Sequence, residues 1–113
     1  MTPNDRVRLQ HMLEAAQEGA LFCADQDRDG IRDNRVLTLA LVKCIEIVGE
    51  AAGKLSPEVR SAFPEIPWSK IVGMRNHLIH AYFDIDWEMV FDTVTDDLPP
   101  LIAALREILE GTG

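Results

Sequence analysis

Only two cysteines occur in the 113 residues, Cys23 and Cys44, and they lack any CxxC spacing. Both sit inside apolar helical patterns, so buried free thiols are expected in preference to a disulfide or a thiolate metal site. Long apolar runs are missing too. Stretches such as Leu39–Val42 fall far short of the roughly 20 residues that span a bilayer. No signal-peptide pattern opens the sequence, and a soluble, cytoplasmic protein with no membrane partner is expected. Strand-like alternation of apolar and polar residues is absent, which argues against a sheet-based fold. Acidic clusters with metal-ligand spacing are absent as well, so neither a metal nor a cofactor is expected.

Basic residues are scarce. Eleven Lys and Arg face nineteen Asp and Glu, for a net charge of −8. The deficit is uneven: residues 84–113 carry eight acids and one base, Arg106, leaving residues 1–83 at −1. Affinity for a phosphate backbone comes chiefly from Lys and Arg contacts that release counterions. Any action on nucleic acid must therefore rest on a local basic site or on a complementary partner.

What is present is helical periodicity. With 47% apolar residues, the length suits one compact all-α domain spanning 1–113, an antiparallel bundle of four to five helices. Thr2-Pro3-Asn4-Asp5 has a capping composition and opens a first helix, with Leu9, Leu13, Ala16, Ala20 and Cys23 recurring at three and four residues. A polar connection, Asp25 to Gly30, leads to a second helix from Asp33 or Asn34 to about Gly53. This helix is apolar around most of its circumference, and only Lys43, Glu46 and Glu50 form a polar stripe, expected to be solvated. Such a helix lies at the centre of a bundle or under a second subunit.

Ser56-Pro57-Glu58 caps a short helix to about Phe63, ended by Pro64 and Pro67. The helical pattern resumes at Trp68 through Ile71, Met74, Leu78 and Tyr82. A last helical region begins near Asp86, with a break or kink expected at Pro99-Pro100. Trp68 and Trp87 read as core or interface packing.

Asp25-x-Asp27-x-Asp29-Gly30 matches the first half of a calcium-binding EF-hand loop. The second half fails, because Val36 stands where the bidentate glutamate belongs and Arg28, Arg32 and Arg35 neutralise the acids. A solvated interhelical loop is the expectation.

The segment Gly73 to Asp86 is different in kind, because Arg75, Asn76, His77, His80 and Tyr82 crowd into an apolar helical pattern. At about 100° per residue, Arg75 and Tyr82 fall within about 20° of each other, while Arg75 and His80 are about 140° apart. One ideal helix does not aim both at one point. Either the helix distorts near His80, or another helix or a second copy of the chain completes the site. Chemically the set suffices for RNA cleavage without a metal. His80 can move a proton at a ribose 2′-hydroxyl or a leaving 5′-oxygen, Arg75 can hold the phosphate, and Asn76 can support either. His77 lies on another face and reads as structural or peripheral. Composition alone also permits a plain polar or interface face here.

Arg75-Asn76-His77-Leu78-Ile79-His80-Ala81-Tyr82 resembles the RNxxxHxY signature of the HEPN superfamily, and more narrowly of the HepT-like toxins. The flanks Phe83–Asp86, Ile45–Ala52 and Phe63–Trp68 resemble that subfamily too, so the similarity covers nearly the whole chain. It implies a helical bundle that forms a homodimer around the motif helix, with paired motifs making a ribonuclease cleft. Arg75 and His80 match the catalytic pair and Asn76 the polar residue beside it. Tyr82 matches the tyrosine to which a MntA-like nucleotidyltransferase antitoxin adds AMP, which would place bulk and negative charge beside Arg75. Two rival readings are a noncatalytic helical subunit that scaffolds a nucleotidyltransferase or serves as its substrate, and a nucleotide-binding module. The acidic segment after residue 83 is read as a solubilising helix, with a surface for a basic partner face as the alternative.

Overall fold

The computed structural model describes residues 1–81 and 84–111, with the backbone alone for 79–81. Helix α1 spans Pro3–Cys23, and the Thr2 hydroxyl accepts from the Asp5 N–H at 3.0 Å, satisfying one of the donors that a helix start leaves open. The helix passes through Gly19, where a Cβ would sit 3.2 Å from Leu98 Cδ1 and 3.4 Å from Cys44 Cβ, so the missing side chain is what lets the neighbouring helices close in. Its buried face is Leu9, Met12, Ala16, Gly19 and Cys23, which puts Met12 in the core and leaves Leu13 only partly covered.

The acidic connection is exposed over residues 24–29, as expected, but it is not all loop. It forms a helical turn, α2 (Arg28–Arg32), with Ile31 fully buried beneath it. Asp27 accepts from the Gly30 N–H at 2.8 Å, and Asp29 pairs with Arg32, so these two carboxylates serve a helix end and a cation. Helix α3 spans Arg35–Gly53 under an Asn34 cap, and Thr38 donates to the Ile31 carbonyl at 2.8 Å, stapling α2 to it. Leu41, Ile45 and Val48 are fully buried, as expected of a central helix that packs against α1.

Helix α4 spans Pro57–Ala62 with Ser56 as cap, α5 spans Trp68–Val72 and α6 spans Met74–Leu78. Trp68 is buried, and its indole N–H lies within reach of the Arg60 and Phe63 carbonyls, 3.2 and 3.0 Å away. After α6 the backbone forms a two-stranded antiparallel ladder, β1 (Ile79–Ala81) with β2 (Asp84–Ile85). This local exception leaves the architecture all-α.

The chain then runs helically to residue 111 as α7 (Trp87–Asp92), a π-helical turn (Thr93–Asp97) and α8 (Leu98–Gly111). Pro99 and Pro100 do not break this run. Two prolines withhold donors from the carbonyls four residues back and collide with them in a regular α-helix. The wide π turn just before them, closed by the Leu98 N–H donating to the Thr93 carbonyl, relieves that collision. Arg28 pairs with Asp92 at 2.8 Å and lies over the Phe91 ring at 5.0 Å, tying α2 to α7. One continuous apolar cluster joins all these helices. Both cysteines are free and buried within the helical packing, and burial raises their thiol pKa values. Among the described residues, no helix is long and apolar enough to cross a membrane.

Candidate active site

Two features of α3 place the functional segment. The first is Gly49, where a Cβ would stand 3.2 Å from the Ile71 carbonyl oxygen and 3.4 Å from that of Val72. Glycine thus allows the end of α5 to rest backbone to backbone on α3. The second lies one turn earlier, where the Glu46 side chain is only 20% exposed in spite of its charge.

Helix α5 ends at Gly73, whose N–H donates to the Ser69 carbonyl at 3.1 Å, and the chain turns directly into α6. Met74 and Leu78, four residues apart, are buried and anchor α6 to the core, which leaves Arg75, Asn76 and His77 exposed. Arg75 then reaches α3, and its Nε donates to Glu46 Oε1 at 2.7 Å. The other carboxylate oxygen, Oε2, lies 3.9 Å from Lys43 Nζ. One carboxylate therefore sits between two cations, with 29 residues separating it from the arginine in sequence. The expectation of a solvated glutamate stripe fails at Glu46. The available signal was an acid flanked by Ile45, Ile47 and Val48.

His77 departs in another direction. With Lys70, Met74, Met89, Asp92, Asp96 and Asp97 it lines a shallow groove of about 220 Å³ against α7 and the π turn. Arg75 and His77 thus serve different surfaces, in keeping with a peripheral His77.

The segment is not one helix from Trp68 to Tyr82. It breaks at Gly73, and α6 stops at Leu78. Asn76, His77 and the β-branched Ile79 are weak helix formers, and a five-residue helix gains little from cooperativity. His80 lies in β1 at an irregularity of the ladder. Ile79 pairs with Ile85 and Ala81 with Asp84, so three residues of β1 oppose two of β2. The extra residue is His80, in the position of a β-bulge. The 140° separation of an ideal helix therefore does not apply between Arg75 and His80. The Asp86 N–H donates back to the Leu78 carbonyl at 2.7 Å, and the Asp86 side chain caps α7, which closes the excursion at its base. Tyr82 lies outside the described residues. Among the described residues, no three His, Cys, Asp or Glu side chains converge as metal ligands would.

A family model described as "Ribonuclease HepT-like" matches residues 12–108. A Caldanaerobacter subterraneus subsp. tengcongensis protein named "Putative RNase TTE0752" is 40% identical over 111 residues, 93% of this chain and 94% of the relative. "Putative RNase MJ1380" of Methanocaldococcus jannaschii is 36% identical over 93 residues, covering 82% and 85% respectively. "Probable ribonuclease HepT" of Thermococcus cleftensis is 40% identical over 62 residues, covering 55% and 56%. No solved structure matches the chain.

Proposed function

The chain belongs to the HepT-like ribonuclease family of the HEPN superfamily, and from that premise we propose that it is the endoribonuclease toxin of a cytoplasmic toxin–antitoxin module. The observation that carries this reading is the anchored Arg75, held at the surface by Glu46 at 2.7 Å and five residues before the histidine of the bulge. An arginine fixed in this way presents its remaining guanidinium donors in a set orientation. Orientation is what makes a cation useful against charge developing on a phosphate.

In the proposed reaction, His80 takes the proton of a ribose 2′-hydroxyl as that oxygen attacks the adjacent phosphorus. The bond to the 5′-oxygen breaks, and a histidine returns a proton to it, leaving a 2′,3′-cyclic phosphate and a free 5′-hydroxyl. Arg75 neutralises the nonbridging oxygens in the transition state, and Asn76 supports the histidine or the phosphate. The nucleophile comes from the RNA itself, so this chemistry needs no metal. One copy offers one motif histidine, and two copies meeting around this segment in a homodimer would supply both an acid and a base.

Tyr82, the one tyrosine of the chain, is the proposed acceptor of AMP. In that step its phenol oxygen attacks the α-phosphorus of ATP within a MntA-like nucleotidyltransferase antitoxin and pyrophosphate leaves. The added phosphodiester, seven residues from Arg75, would compete with RNA for the same cation.

Unmodified protein should cleave RNA in EDTA. Arg75→Ala and His80→Ala should each lower the rate by about 10²–10⁴-fold, the usual range for a lost acid–base or oxyanion-stabilising group. Activity that is absent from the unmodified protein, or unchanged in both variants, would instead favour a noncatalytic subunit of a nucleotidyltransferase complex. An intact-mass shift by one adenylate after coexpression with the antitoxin, lost in Tyr82→Phe, tests the modification.

A further inference from the structure

Glu46 has two oxygens and each meets a different cation. Arg75 Nε is bound to Oε1 at 2.7 Å, and Lys43 Nζ faces Oε2 at 3.9 Å. The two cations differ in how firmly they are held. Arg75, with its side chain 53% exposed, is in hydrogen-bond contact with the carboxylate, whereas Lys43, 65% exposed, stands at the outer limit of an ion pair. As a stabilising contact the lysine pair is worth little, because an exposed i,i+3 pair at that distance is screened by solvent and costs side-chain entropy to hold. Its consequence is positional instead. It keeps a second positive charge beside Arg75 in a chain whose net charge is −8, and the three side chains together carry +1.

We propose that Lys43 is a phosphate-binding residue of the RNA site, registered to Arg75 through the carboxylate they share. This rests on the ribonuclease reading above. Arg75, with its planar fork already held on one edge, engages the scissile phosphodiester. Lys43, a hydrated point charge on a flexible stem, leaves Glu46 for a neighbouring phosphate of the same strand. Glu46 is then a positioning residue: it sets the spacing of the two cations and is released from one of them when RNA arrives. The location on α3 also makes the phosphate track cross from the motif segment to the central helix, which the motif by itself does not reveal.

The test uses an uncleavable probe, a 2′-O-methylated oligoribonucleotide of mixed sequence, titrated by fluorescence anisotropy at several KCl concentrations. Each phosphate contact contributes about 0.7 to the slope of log K against log salt for a single strand. Lys43→Ala should reduce that slope by about 0.7 and weaken binding by about 5–10-fold at low salt, Lys43→Glu should weaken it further, and Lys43→Arg should restore it. Cleavage of unmethylated RNA by Lys43→Ala should fall through KM with kcat retained. Wild-type slope and affinity in both Lys43→Ala and Lys43→Glu, in protein that still cleaves RNA, would overturn the assignment while leaving the ribonuclease reading intact. Wild-type protein that neither binds nor cleaves RNA would overturn both.

Discussion

At the residue scale, the decisive contacts are buried or half-buried acids whose partners lie far off in sequence. Glu46 with Arg75 is one, and Asp5 is the other. Asp5 is 4% exposed, accepts from the Ser56 N–H at 3.0 Å and from the Ser56 hydroxyl at 2.8 Å, and so ties the first turn of α1 to the start of α4. The Ser56 amide bond, followed by the Ser56 hydroxyl, holds the Asp5 carboxyl below its ordinary value. Because the folded pKa is depressed, the carboxylate's stabilisation is fully present above the unfolded value near 4 and is lost as pH falls through the lower folded value. Asp5→Asn should lower the melting temperature at pH 7 and flatten the dependence of stability on pH below about 4, measured by urea titration at a series of pH values. Neither acid declares its role in sequence. Asp5 reads there only as part of a capping run and Glu46 as one of a polar stripe, because both depend on a partner brought in by folding.

At the element scale, local rules located most helices. Thr2, Asn34 and Ser56 each accept a backbone N–H three residues on, and α1, α3 and α4 begin where those residues predict. Local rules failed where a neighbour imposed itself. Pro99-Pro100 reads as a break or kink but follows a π turn that absorbs it. Gly49 is the glycine that matters most for the site. In Gly49→Ala, the helix gains about 0.8–1 kcal/mol of propensity and loses about 1–3 kcal/mol to the carbonyls of Ile71 and Val72, which are backbone and cannot rotate away. The loss wins. Denaturant titration should show a net destabilisation of about 1 kcal/mol, and RNA cleavage should fall further than stability does, because α6 rides on the displaced segment. Gly53→Ala is the control: its nearest neighbour, Val72 Cγ1, would be 3.9 Å away, so this variant should be at least as stable as wild type.

At the scale of the whole molecule, six of the eight acids of residues 84–113 lie on the last helical run, where Asp92, Asp96 and Asp97 share a groove with His77 and Asp97 faces Lys70 at 3.8 Å. Leu39, one turn before Lys43, is 44% exposed, and Val72, three residues before Arg75, is 41% exposed. Leu39 lies one turn from Lys43 on the same helix, so a second copy of the chain meeting around the motif, as proposed, would cover it. Leu39→Glu should therefore convert a dimer to a monomer in sedimentation velocity and abolish cleavage, while leaving the melting temperature of the monomer unchanged, because an exposed leucine adds little to the core.

The sequence by itself determined the helical class, the caps and bounds of α1, α3 and α4, the central place of α3, and the family. Each of these is written in side chains that act on their own backbone or in a signature read along the chain. Tertiary structure alone decided that Arg75 is anchored by Glu46, which brings it beside Lys43, and that His80 occupies a bulge. These depend on which surfaces meet, and the closeness of α3 to α5 at a glycine has no local signature. Helical periodicity measures angles only while the helix lasts. The angular mismatch of Arg75 and His80 pointed to a distortion near His80 or to a completing element, and the end of α6 at Leu78 is that distortion.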